Sequence, residues 1–268
     1  MRKVLLLLAW NLGVVASAGG REPPAGTGLN AAPLGRVVEV QQVPGVPVDE
    51  AAGTFFNFPA HTRLVLNRPG ERWKASYTGD QPPAYIALYP VDALLGQFPQ
   101  RGPNTMYREV VKRLNALRNL QPAEKLARPL PYFPVPNAFQ AVSGAARVIR
   151  TPTFRGVRYL TIHSQEAGVR FPREAVEYTF QGLTTDGRTL ISMHVPYPVA
   201  ALPSRAALDT AKAWALAPYP GTLDSPEGRA FKKRNADYLA DLQRTFDAQD
   251  TARQMLALDR ALESLRVR

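Results

Sequence analysis

Between Glu174 and Pro196 apolar and polar residues alternate with a period of two on either side of Asp186-Gly187. A two-residue turn of this composition accepts positive φ and matches the twist of antiparallel strands. Counting outward from the turn, Leu183 faces Leu190, Gln181 faces Ser192 and Thr179 faces His194. The intervening residues pair Gly182 with Ile191, Phe180 with Met193 and Tyr178 with Val195. The pattern therefore predicts a hairpin with an apolar face (Val176, Tyr178, Phe180, Ile191, Met193, Val195) and a mostly polar one. A one-residue slip would expose the whole apolar set, so the register is strongly specified.

The same reading predicts strands at 37–43, 54–58, 62–67, 73–78, 84–89, 139–150 and 156–163, punctuated by Pro59, Arg68-Pro69-Gly70 and Pro90. Helical periodicity appears after Asn104, where Met106, Val110, Leu114, Leu117 and Leu120 form one stripe. Ser204 opens a second helix with Leu208, Ala211 and Ala215 or Leu216 inward. Ser225-Pro226-Glu227 supplies a cap, a proline at the first helical position and an acid in the first turn. Phe231, Tyr238, Leu242 and Phe246 are the stripe that follows. A last helix over 253–265 buries Met255, Leu258, Leu262 and Leu265. Pro129, Pro131, Pro134 and Pro136 mark a rigid extended connector, with Tyr132 and Phe133 as its packing anchors. This order of elements predicts one α+β domain, an antiparallel sheet covered by helices.

Before this domain the chain begins MRKVLLLLAWNLGVVASAGG, a charged start, an apolar run and the small residues Ala16-Ser17-Ala18. That reads as a secretory signal over 1–18, followed by a flexible leader over 19–36 and the domain over 37–268. The expected location is the periplasm or the medium. No later stretch is apolar and long enough to span a membrane. The chain has no cysteine, which excludes disulfides, thiolate zinc sites, a cysteine nucleophile and a lipid-modified N-terminal cysteine. Its formal net charge is +11, which admits an anionic envelope polymer or another envelope protein as partner. No nucleic-acid module signature accompanies the charge.

Several phrases occur together: PAYIALYPV, LPYFPVPNAFQA, GVRYLTIHSQE, EYTFQGLTTDGRTLISMHVPYP and LDRALESLRV. In this order, over roughly 77–267, they resemble a family of bacterial secreted proteins and lipoproteins without assigned function. The layout is also similar to the PsbP-like α/β/α sandwich, whose members are mostly accessory and envelope proteins. The resemblance implies an exported accessory protein and names no catalytic residue.

No nucleophile elbow, phosphate loop, dinucleotide fingerprint or zinc-protease motif is present, and no cofactor or metal is expected. Among the three histidines, His194 shares the polar hairpin face with Thr179, Gln181 and Ser192. His163 ends a neighbouring strand and would join them, with Tyr159, Thr161 and Glu177. The plainer reading of these histidines is hydrogen bonding to neighbours; the alternative is a ligand site over His163, His194, Thr179, Gln181, Ser192 and Tyr159. Arg229, Lys232, Lys233 and Arg234 are the candidates for an anionic surface partner. The expectation is a binding or accessory protein of the envelope. The rivals are an extracytoplasmic hydrolase with a histidine-containing site and a basic module for anionic polymers.

Overall fold

The structure is a computed structural model that describes residues 27–45, 58–75, 81–97, 105–136 and 138–267. Seven strands form one antiparallel sheet: β1 (Val37–Val43), β2 (His61–Asn67), β3 (Tyr85–Pro90), β4 (Phe139–Arg150), β5 (Phe154–Ser164), β6 (Glu177–Thr184) and β7 (Thr189–Pro196). Their spatial order is β1-β2-β3-β7-β6-β5-β4. After β3 the chain crosses to the far edge and returns strand by strand until β7 closes against β3. The crossing segment carries α1 (Val91–Gly96), α2 (Thr105–Arg118) and the proline-rich connector. After β7 come α3 (Arg205–Ala211), α4 (Pro226–Asp247) and α5 (Arg253–Glu263).

The hairpin has the register its alternation predicts: Leu183 with Leu190, Gln181 with Ser192, Thr179 with His194 and Phe180 with Met193. Its apolar face joins Leu64, Ile86, Leu160 and Ile162 under Leu242 and Phe246 of α4 and Met255, Leu258 and Leu262 of α5. The opposite face is also covered. Val110, Leu114 and Leu117 of α2 pack there on Tyr85, Tyr89, Val157, Tyr159 and Leu190. The sheet thus lies between two helical layers, and side chains on both of its faces are removed from water.

Both serine caps form: Ser204 Oγ accepts from Ala207 N at 3.1 Å and Ser225 Oγ from Gly228 N at 3.0 Å. Several expectations need correction. The helix after Ser204 ends at Ala211, which is exposed, because Lys212 turns into the left-handed region at φ 48°. Ala215 instead forms an isolated bridge with Val169. Trp73 to Ala75 is not a strand: Trp73 lies against the Arg63 guanidinium and donates its N–H to Asn67 Oδ1. The expected strand over 54–58 and the signal lie outside the described residues, apart from Phe58. The second half of the expected leader is docked. Gly28 and Arg266 exchange two main-chain hydrogen bonds, and Ala31 enters the core. The folded unit therefore includes residues well before position 37, held by the C-terminal segment rather than by a strand of their own.

Gly156 and Gly182 face each other across β5 and β6, and the Phe180 ring lies over both. A Cβ on Gly182 would come 2.5 Å from Phe180 Cζ and 2.6 Å from the Arg155 carbonyl oxygen. Backbone cannot yield as a side-chain tip can. Gly182→Ala is therefore expected to cost about 1–3 kcal/mol through overpacking, read as a lower urea midpoint with an unchanged slope.

Candidate functional site

Strand pairing places Glu177, Thr179, Gln181, Ser192, His194 and Tyr159 on the sheet face that α2 covers. The sequence offers two readings of this hairpin face, histidines hydrogen-bonded to their neighbours or a ligand site. In the structure the face is closed to solvent: His194 is 1% exposed, and Thr179, Gln181, Ser192 and Tyr159 are 0% exposed. What covers them is the connector. An extended proline-rich segment has no ladder partner, so its peptide groups need acceptors and donors from side chains. The sheet supplies them. Phe133 N–H donates to Gln181 Oε1 at 3.2 Å, and Tyr159 Oη–H donates to the Pro131 carbonyl. The Phe133 carbonyl receives the Ser192 hydroxyl and His194 Nε2, the latter at 2.8 Å. Gln181 Nε2 donates to Ser192 Oγ at 2.8 Å.

Glu177 completes the cluster. Its Oε1 lies 3.1 Å from His194 Nδ1, and its Oε2 accepts from Tyr132 Oη at 2.8 Å. Burial alone would raise this carboxyl, but His194, the Tyr132 hydroxyl and His163 hold it below the usual range. The two ring nitrogens of His194 thus face the Glu177 carboxylate on one side and the Phe133 carbonyl on the other. The rings pack as tightly as the polar atoms bond: Tyr85 stacks on His194 at 5.0 Å and Tyr132 meets it edge-on at 4.8 Å. Burial pushes the Tyr85, Tyr132 and Tyr159 hydroxyls up, so they remain protonated.

The row Glu177–His194–Ser192 has the order of a nucleophile triad, with Ser192 Oγ 2.7 Å from His194 Nε2. A general base must accept the nucleophile's proton on a free nitrogen, and the nucleophile must reach substrate. Here Nε2 points its proton at the Phe133 carbonyl, and the serine proton goes to the same oxygen. This is an arrangement for holding a chain in place.

Of the predicted site residues, His163 lines a solvent-open cavity. A groove of about 740 Å³ runs between the connector, the start of β4 and α4, with Tyr132 and His163 in its wall. The His163 ring lies 4.1 Å from that of Tyr132. Its nitrogens make no hydrogen bond among the described residues. Burial lowers its pKa to about 4, with Glu177 opposing and His194 and Arg113 assisting, so the ring is neutral at pH 7 with one donor and one acceptor to offer. Arg113 and Arg128 also line the groove, facing Ala236, Leu239 and Ala240 of α4. The sequence marks Tyr132 as a packing anchor of the connector and singles out neither arginine. Their role depends on contacts between segments distant in sequence, which no local pattern marks.

The other predicted set does not converge. Arg229, Lys232, Lys233 and Arg234 are exposed on α4, and consecutive positions there point in different directions. Lys232 pairs with Asp224 at 3.3 Å, Lys233 with Asp237 at 2.6 Å, and Arg229 donates to the Asp224 carbonyl. No group of three or more metal-ligating side chains occurs among the described residues, and no helix there is long and apolar enough to cross a membrane.

Fold and site together define an α+β protein with a buried polar lock under a proline-rich strap and one groove beside it. Compared with known families, characterised proteins and solved structures, the chain finds no match.

Proposed function

We propose that this is an exported, non-catalytic binding or accessory protein of the cell envelope, and that its ligand sits in the groove over Tyr132 and His163. One observation carries the reading: a concave site of small-molecule size is walled by a neutral histidine whose nitrogens have no hydrogen-bond partner among the described residues. A polar group left half-buried without a partner loses hydration that a ligand can restore. The start of the chain supports export. The hydrolase alternative is disfavoured by the burial of Ser192 and His194 and by the direction of their protons. The polymer-binding alternative is disfavoured by the local pairing of Lys232 and Lys233.

Native mass spectrometry of the mature protein, isolated from its own compartment, is expected to retain a small-molecule mass that His163→Phe reduces or abolishes. That substitution keeps the ring against Tyr132 and removes only the nitrogens. Turnover of ester, glycoside or peptide substrates by the purified protein, abolished in Ser192→Ala, would refute the reading.

A further inference from the structure

The groove is chemically two-sided. Arg113 of α2 and Arg128 just before the connector bring two guanidinium groups to its lining, and α4 contributes the small or apolar Ala236, Leu239 and Ala240 together with Gln243. No carboxylate lines it among the described residues. Arg113 is already balanced: its Nε donates to Glu109 Oε1 at 2.8 Å, and its Nη1 holds the Tyr132 carbonyl at 2.6 Å. Arg128 is not. Its Nη1 donates to the Ser143 carbonyl and, at 2.6 Å, to Ser143 Oγ. Both are neutral acceptors, and among the described residues Arg128 has no carboxylate partner. Its Nε and Nη2 make no hydrogen bond there. A guanidinium anchored by one edge and open at the other is prepared for an anionic oxygen. Phe139, 48% exposed and also in the lining, adds apolar surface.

Resting on the binding function proposed above, we infer that the ligand is a small amphipathic anion: one carboxylate or phosphate on an acyl or similar apolar body. The anionic oxygen meets Arg128, His163 supplies a neutral hydrogen bond, and the apolar body lies along Ala236, Leu239 and Ala240. A free molecule fits better than a membrane surface, because the cation lies within a concavity rather than on a flat face.

Dodecanoate, kept below its micelle concentration, is the first probe, and titration calorimetry of the mature chain the first measurement. Dodecanoate is expected to bind one to one and dodecanol at least tenfold more weakly. Arg128→Gln should weaken dodecanoate tenfold or more while leaving dodecanol unchanged. Leu239→Asp, which keeps Arg128 and places a carboxylate on the opposite wall, should also weaken dodecanoate. Thermal melts of both variants check that the fold persists. Equal binding of dodecanoate and dodecanol, or loss of both together in Arg128→Gln, would overturn the anion assignment. Binding only to phosphatidylglycerol vesicles, never to monomeric dodecanoate, would overturn it in favour of a membrane surface. A neutral ligand retained in native mass spectrometry and lost in His163→Phe would leave the binding function standing and remove this inference. A clean apo mass with no binding of either probe would remove both.

Discussion

Arg158→Ala is expected to destabilise the folded chain by about 3–5 kcal/mol, the cost of breaking a buried ion pair from one side. Arg158 lies in the middle of β5 and is 0% exposed. It stands on the apolar face, among residues that exclude water. Its Nε reaches both carboxylate oxygens of Asp259 in α5, at 3.2 and 3.3 Å. Its Nη2 bonds Asp250 Oδ1 at 2.5 Å, and its Nη1 donates to the Ala145 carbonyl. Tyr178 Oη adds a bond to Asp259 at 3.0 Å. Burial raises the Asp259 carboxyl, while Arg158 and Tyr178 pull it back.

This one side chain ties β5, the irregularity in β4 at Ala145, the turn after α4 and the face of α5 together. Ala145 has φ 49°, and its N–H is held by Asp247 Oδ1 at 2.6 Å. Removing the guanidinium leaves the buried Asp259 carboxylate without its main counter-charge, with only the weaker influence of Arg147 remaining among the named cations. Small domains are stable by only about 5–15 kcal/mol, so the alanine variant should show a sharply lower urea midpoint. Arg158→Met combined with Asp259→Leu removes both charges and is expected to recover most of the loss, since Asp250, 43% exposed, can be hydrated. An equal loss in the double variant would show that packing rather than the ion pair carries the effect.

The second large effect is acid lability. His61 is buried at 4% exposure between Phe58 and Tyr89. Its Nδ1 donates to the Pro59 carbonyl at 2.9 Å, and its Nε2 is buried without a hydrogen-bond partner among the described residues. Burial lowers its pKa to about 4, with the Arg63 charge adding to the shift and the Pro59 bond opposing it. Unfolded, the ring titrates near 6.5. Between these values the unfolded chain binds the extra proton and the folded chain does not, so stability falls as pH falls. Below about 4 both states carry it and the loss is complete. A displacement from 6.5 to about 4 corresponds to about 3 kcal/mol. His163, whose pKa burial likewise lowers to about 4, moves in the same direction.

Glu177, whose folded carboxyl is lowered, contributes stability above the unfolded glutamate range and loses it below, as pH drops through its folded value. All three groups therefore weaken the fold on acidification, the histidines first. Urea unfolding between pH 7 and 4 should show stability decreasing throughout. His61→Phe, which preserves the ring packing, should flatten that slope by roughly half. An unchanged slope in His61→Phe would mean that the ring is not held neutral in the folded protein.

Much of this architecture was legible in the sequence because it is local. The alternation on either side of Asp186-Gly187 determines the hairpin register, since one pairing buries Phe180 and Met193 together. The connection itself is wider than the expected two-residue turn, running from Thr185 to Arg188 with Gly187 N–H donating to the Thr184 carbonyl and Gly187 at positive φ. Ser204 and Ser225 mark helix starts because their hydroxyls satisfy main-chain N–H groups three residues away. The stripe Val110, Leu114 and Leu117 determines which side of α2 is buried, since 3.6 residues complete a turn. The histidine cluster was legible in part: strand pairing brings Thr179, His194 and Tyr159 together wherever the sheet lies. Tertiary structure decided what that cluster is for. Alternation distinguishes polar from apolar but cannot say what will cover a polar face, and here the cover is a segment about 60 residues earlier whose carbonyls need donors. The buried Arg158 is of the same kind: in sequence it is one arginine in a strand, and its partner Asp259 is 101 residues away. Contacts at such separation leave no mark on their neighbours, so only the folded chain shows that the polar residues act as a lock and leaves Arg128 facing an open groove.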